Sequence, residues 1–363
     1  MLRAQSSRVP HPANVSIEWY RTKLPKGVSE KIHRKSDFRA ALQTVGWLAN
    51  LALWFVLALR VHSAFALLYC MQVNFAINAM HELGHRTVFK TKVLNDVFLR
   101  VVSFLGWLHP DMFFSSHLRH HRYTLNEPYD QENPMPTQLT LRSFLSFGFI
   151  NVNWFVETIT QTIKAALGIY PTGHLGWKPQ WEAICYPSSL PAARAPAMRW
   201  AQLLLIGHIS VAVAASQRGW SPLIPAMVSV GPFLNGWLFW LCNSTQHICL
   251  EYGTAANGKM ISDFRRTTRS FTLHPFLAFW YWHMNWHTEH HMYAAVPCYN
   301  LETLHNAIRY DLPPTPNGIV ATWRVIAREM RLLRRNPLHF QRLEIPGTNA
   351  GAGVNYRAST RRE

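Results

Sequence analysis

The sequence predicts an all-α integral membrane protein, with about four transmembrane helices arranged as two hairpins beneath a helical cap. Three observations lead there. Charged residues make up only 15% of the 363-residue chain and hydrophobic residues 48%, whereas soluble proteins carry roughly 25% charge. Four apolar stretches approach the roughly 20 residues that a helix needs to cross a bilayer. Lysine and arginine gather outside those stretches, and 15 tryptophans add a residue type that favours membrane interfaces.

The first stretch, about 40–59, reads AALQTVGWLANLALWFVLAL. Arg60 and His62 interrupt it, and the second continues over about 61–80. The third covers about 200–217 and the fourth about 221–242, SPLIPAMVSVGPFLNGWLFWLC. Each pair is joined by a very short connection, which makes each a helical hairpin. Segments 97–108 and 141–168 are shorter or more mixed and are expected to lie in the interface with an apolar face down. Lysine and arginine number nine in residues 1–39, eleven in 81–199 and fourteen in 243–363, against one at each hairpin tip, Arg60 and Arg218. The positive-inside rule therefore puts both termini and the long central segment in the cytosol. The expected organisation is a cytosolic N-terminal segment over 1–39, a membrane domain over 40–318 and a basic cytosolic tail over 319–363. A soluble protein with two buried hairpins is the weaker alternative, because buried soluble helices seldom run this long.

The net charge of +17 is compatible with nucleic acid, an anionic membrane surface or an acidic partner. The basic residues flank apolar spans, so the membrane is expected and nucleic acid is not. Cys70, Cys185, Cys242, Cys249 and Cys298 form no CxxC pair and are odd in number, which fits reduced packing thiols and not a disulfide frame or zinc ribbon. The Arg-rich N-terminus lacks the apolar region of a secretory signal.

Three histidine clusters fall on the predicted cytosolic side: HELGH with His81 and His85, HLRHH with His117, His120 and His121, and HTEHH with His287, His290 and His291. Helix positions i and i+4 share a face, and i, i+3, i+4 form a tight triangle. Imidazole suits Fe, Zn, Cu and Ni. Eight such ligands exceed what one ion takes, so a di-metal site in the cap is expected. His247, just beyond the fourth span, is a ninth candidate, and His283, one turn before His287, a tenth. Lone histidines such as His62, His174, His208 and His305 are read as ordinary surface or helix-end residues. HELGH also fits H-E-x-x-H, two zinc ligands flanking a general-base glutamate, as in an intramembrane zinc metalloprotease. That reading leaves seven histidines unexplained.

The pattern H-x3-H, H-x2-HH, H-x2-HH with apolar spans between resembles the integral-membrane fatty acid desaturase and hydroxylase superfamily. The resemblance covers about residues 18–318. HHMYAAVPCYNLETLH looks like the segment after the third box of fatty acid desaturases, while HELGH and TQH are more like the alkane monooxygenase branch. The resemblance implies two Fe ions in a non-haem di-iron site, O2 as co-substrate, and attack on an unactivated C–H bond of a lipid or other apolar small molecule. Desaturation of an acyl or lipid-like chain is the main expectation, with hydroxylation of an alkyl chain or specialised metabolite as the alternative. A non-enzymatic histidine-metal membrane receptor is the alternative of another class.

Glu82 and Glu289 lie inside boxes and are expected to orient ring N–H groups. Without a nucleotide fingerprint or haem-binding segment, the chain needs a separate electron donor, cytochrome b5-like or ferredoxin-like. The site would lie on the cytosolic side of the endoplasmic reticulum in a eukaryote, or of the inner membrane in a bacterium. RRTTR, with Arg265, Arg266 and Arg269, reads as juxtamembrane charge, a donor dock or a headgroup clamp. Trp280, Trp282, Trp286 and Tyr293 are read as interfacial anchors, with Trp286 and Trp282 the candidates for walling a substrate tunnel.

Overall fold

A computed structural model describes residues 15–130, 132–133, 137, 139–169, 191–254 and 260–346. The chain is mostly helical. Its only strands among the described residues are a two-residue parallel pair in which Asn126–Glu127 meets Gly253–Thr254.

A short helix α1 (Val28–His33) leads to α2 (Asp37–Arg60). Ser36 starts α2 by accepting a hydrogen bond from the Arg39 amide, as an N-cap should. This helix and Arg194–Gln217, within α9 (Pro191–Gln217), are long and apolar enough to cross a membrane. Both keep large apolar side chains exposed, among them Leu53 and Val56 on one and Ile206 and Ile209 on the other. Lipid would cover such a band.

The second and fourth predicted spans are not continuous helices. The second divides into α3 (Phe65–Val73) and α4 (Ala76–Gly84). At the break, the Asn74 amide donates to the Cys70 and Leu234 carbonyls. The fourth runs through a π turn at 226–230 and a 3-10 turn at 231–233 before α10 (Trp237–Asn243). Pro222, Pro225 and Pro232 each remove an amide donor, which prevents an unbroken helix. The two breaks meet: a Cβ at Gly236 would stand 2.6 Å from Asn74 Oδ1. Hydropathy registers apolar length and is blind to these interruptions.

α5 (Lys92–Leu105) and α6 (Pro110–Tyr123) form a pair bent by 106°, a broken span or a re-entrant loop. The bend lifts the second histidine box out of line with α5. α7 (Leu141–Gly148) and α8 (Val152–Ala166) follow, and α8 packs on α9. The remaining helices are short: α11 (Phe264–Thr267), α12 (Pro275–Trp280), α13 (His287–Met292) and α14 (Leu301–Ile308). The longer α15 (Gly318–Arg335) packs Ile326 and Leu333 against Ile248 and Cys249.

The main core runs from α2 to α14 and takes in Trp280, Trp282 and Trp286. All three are buried, so none is an interfacial anchor. Cys70, Cys242, Cys249 and Cys298 are free and buried, and Cys185 lies outside the described residues, as does His174.

Gly84 couples the first box to the second. A Cβ there would fall 1.7 Å from Phe114 Cζ of α6, so α4 and α6 approach only because the side chain is absent. Gly84→Ala is expected to cost about 1–3 kcal/mol, the usual penalty of overpacking. Thermal unfolding in detergent should show Gly84→Ala/Phe114→Ala costing clearly less than the sum of its two single changes. Simple additivity would contradict the contact.

Candidate metal centre

Four elements bring the histidines together. α4 carries His81 and, at its C-cap, His85; α6 carries His117, His120 and His121; α13 carries His287, His290 and His291; and His247 lies in the turn after α10. These nine, all singled out in the sequence, fall into two groups that could each hold a metal ion. One is His81, His85, His117, His121 and His290; the other is His120, His247, His287 and His291. Within each group the candidate ligand atoms lie within 4.8 Å of one another.

Each H-x2-HH box divides between the groups. In α6, His117 and His121 join the first and His120 the second; in α13, His287 and His291 join the second and His290 the first. Helical geometry accounts for this. At 3.6 residues per turn, adjacent side chains diverge by about 100° while i and i+4 differ by only about 40°. An i, i+4 pair can serve one ion while the intervening histidine serves another. The box is therefore not one arc aimed at one point, as the spacing alone suggested, but a bridge between two.

The rings meet through Nε2. His117 Nε2 lies 3.2 Å from His85 Nε2 and 2.9 Å from His121 Nε2, which is 3.2 Å from His290 Nε2. In the other group, His287 Nε2 is 3.0 Å from His247 Nε2 and 3.1 Å from His291 Nε2. Nitrogens bound cis to one ion at about 2.1 Å stand about 3 Å apart.

The opposite ring nitrogen shows why Nε2 is bare. His81 Nδ1 is 2.9 Å from Glu82 Oε1, His117 Nδ1 2.9 Å from Glu132 Oε2, and His120 Nδ1 2.9 Å from Asp130 Oδ2. His247 Nδ1 donates to the Thr267 carbonyl at 2.8 Å. His291 Nδ1 donates to Thr124 Oγ1 at 3.1 Å, a hydroxyl whose own proton goes to the His120 carbonyl. Each acceptor holds the proton on Nδ1 and leaves an Nε2 lone pair facing inward. His81 Nε2 is buried with no hydrogen-bond partner. Such a donor set fits metal ions.

Electrostatics agree. Burial, then the neighbouring imidazoles, hold His287, His290 and His291 well below the usual histidine range. These rings are neutral, as ligands must be. Burial pushes Asp130 up, but His120 and the amides of Glu132 and Leu125 outweigh it and bring the carboxyl down to about 2. Burial raises Glu132 to about 7, against the pull of His120.

Glu82 Oε1 stands on the Nδ1 side of His81. It is fully buried and also stands 3.5 Å from His290 Nδ1. Glu289 does not orient a ligand ring. It accepts from Ser270 Oγ and pairs with His305 Nδ1, both at 2.5 Å, and so clamps the back of α13. His305 is consequently no surface histidine: it is buried and stacks on Trp286 at 4.1 Å. His208 is buried too, stacked between Phe104 and Trp107. His62 is exposed, and His283 joins neither group. Sequence reading missed Asp130, Glu132, Thr124, Ser270 and His305. The acidic residues of NEPYDQEN, Asp130 and Glu132 among them, were the only available signal, soon after the second box.

RRTTR is not a free basic patch. Arg265 pairs with Asp263 and Asp311, and Arg266 with Glu251. Buried Arg269 donates to the Thr245 and Ile248 carbonyls and to Gln341 Oε1. Desolvation lowers its guanidinium to about 10. These arginines hold the cap together.

A search of curated proteins returned no match. The family model described as Fatty acid desaturase matches residues 47–323, from the middle of α2 into α15 and across every histidine of both groups. That stretch covers more than half of the chain, and the chain belongs to the fatty acid desaturase family.

Proposed function

We propose that this protein is an O2-dependent, non-haem di-iron membrane oxidase that introduces a double bond into an acyl or lipid-like chain. The observation that supports it best is the division of nine inward-facing imidazoles into groups of five and four within a chain of this family. Two irons held there would supply the activation of O2 that attack on an unactivated C–H bond requires. His81, His85, His117, His121 and His290 would hold one, and His120, His247, His287 and His291 the other. Neither set fills its ion with protein nitrogen alone if six positions are used, which leaves room for small ligands.

The surrounding residues fix the ligands and keep water out. Glu82, Glu132, Asp130, Thr124 and the Thr267 carbonyl each hold one ring at Nδ1. Ser270 and His305 lock Glu289, and through it α13. Trp282 is fully buried edge-on to Trp47 of α2. It has a stronger claim to wall an apolar chain's path than Trp286, which stacks on His305. Separate electron-transfer proteins, cytochrome b5-like or ferredoxin-like, would reduce the centre from the cytosolic side.

Glu82 weighs against the zinc-protease reading. A zincin glutamate faces its metal-bound water, whereas this one is turned to the Nδ1 side of His81 and His290. His81 and His85 also share their group with three more histidines.

Purified protein supplied with iron, O2, a reductant and mixed acyl lipids should yield a product two hydrogens lighter by mass spectrometry. A product one oxygen heavier would establish hydroxylation instead, and oxygen-independent peptide cleavage would overturn the oxidase. Glu82→Gln should keep O2-dependent turnover at roughly a tenth to a hundredth of the parent rate, the usual cost of losing a group that orients a ligand.

Sidedness can be read by labelling. A cysteine placed beside Arg60 or Arg218 should react with an impermeant thiol reagent from the non-cytosolic side only. Labelling from the cytosol would reverse the orientation.

A further inference from the structure

Removing two hydrogens from a saturated chain supplies two of the four electrons that reduce O2 to water: RCH2–CH2R + O2 + 2 e− + 2 H+ → RCH=CHR + 2 H2O. The other two come from outside the chain. The arginines of RRTTR are already engaged, so a donor must meet some other surface.

That surface is on α15. Arg324, Arg328, Arg331, Arg334 and Arg335 are all exposed. Four of them follow at i, i+4, i+7 and i+11, which puts them on one face. Among the described residues, none of the five pairs with a carboxylate; Arg331 Nε bonds only the Ala327 carbonyl of its own helix. Glu329, the one acid in the helix, faces inward and pairs with His339. Five unneutralised guanidiniums on a rigid helix present forks suited to carboxylates.

The opposite face is tied to the second metal group. Ile326 and Leu333 pack on Ile248 and Cys249, the two residues that follow His247. Beyond the helix, the Gln341 amide donates to the Cys249 carbonyl and its side chain accepts from Arg269. Trp323 Nε1 donates to the Leu241 carbonyl at the end of the fourth span. A partner seated on the arginines is therefore separated from a ligand segment by one layer of side chains.

A membrane surface fits this helix less well. An interfacial helix needs a free apolar face to bury in lipid. Here that face is occupied by the protein, and Val320, on the arginine side at the start of the helix, is the only large apolar side chain of α15 left exposed.

We propose that the arginine face of α15 is the docking surface for an acidic one-electron donor protein, which delivers electrons to the centre through the His247 side. The proposal rests on the oxidase reading for the partner's role, and binding tests the surface separately from turnover. The probes are an acidic [2Fe–2S] ferredoxin and the acidic haem domain of cytochrome b5. Binding and donor KM are measured at low and moderate salt on the full-length protein in nanodiscs.

Arg324→Glu/Arg328→Glu/Arg331→Glu should weaken binding of at least one probe by about tenfold or more at low salt and flatten its salt dependence. The same change to glutamine should give a smaller loss in the same direction. Iron content, and product yield in a single turnover after anaerobic reduction with dithionite and methyl viologen, removal of the reductant and addition of O2, should stay at parental values, since exposed charges do not shape the site. If neither probe binds the parent at low salt, or both variants bind like the parent, the docking surface is wrong. Loss of binding to phosphatidylserine vesicles with unchanged probe binding would reassign the face to the membrane. Absence of any desaturated or oxygenated product when the chemically pre-reduced protein, freed of reductant, meets O2 and lipid would sink the oxidase reading and leave the binding result to decide the surface.

Discussion

Nine imidazoles cannot satisfy one another when their Nε2 atoms face inward. Carboxylates, a carbonyl and a hydroxyl hold five of the rings with the proton on Nδ1. The Nε2 lone pairs then converge at about 3 Å, an arrangement that repels until cations occupy the gaps. Burial opposes protonating His117, His121, His247, His287, His290 and His291, whereas at His120 the Asp130 carboxylate outweighs burial and favours the charged ring. The two groups could thus each hold a metal ion, and binding one would contribute directly to the folding of this region.

Much of the fold serves that convergence. The breaks in the second and fourth predicted spans turn their ends toward each other, so that one delivers His81 and His85 and the other His247. The bend between α5 and α6 brings in the second box. The absent side chain of Gly84 lets α4 reach α6, and the clamp of Glu289 by Ser270 and His305 sets the rotation of α13. Behind these, the buried arginines Arg265 and Arg269 join the cap to chain segments far apart in sequence.

The histidines of the two groups stand out in the sequence because a helix converts spacing into direction. HLRHH and HTEHH declare their geometry locally, and His247 was marked by its place after an apolar span. The division of each box between two groups also lies in that spacing, yet it becomes visible only once both groups exist. The orienting residues were illegible for a physical reason. Asp130 and Glu132 reach α6 through a loop that folds back on it, and His305 meets Glu289 across a helix boundary. Neither contact leaves a periodic trace. Apolar length picked out α2 and α9, the two helices long and apolar enough to cross a membrane, but it could not show that Asn74 and the prolines of 222–232 interrupt the other two stretches. The arginines of RRTTR looked like a surface because their partners, Asp311 and Gln341, lie 46 and 72 residues further on.

The central claim is that one chain holds two iron ions, each in its own histidine group. Metal analysis of the purified protein alongside His85→Ala and His287→Ala tests it most directly. The account predicts about two irons per parent chain, and a fall toward one in each variant as one group or the other is disabled, with turnover lost in both. A single zinc per parent chain, or full iron and full turnover in both variants, would contradict it.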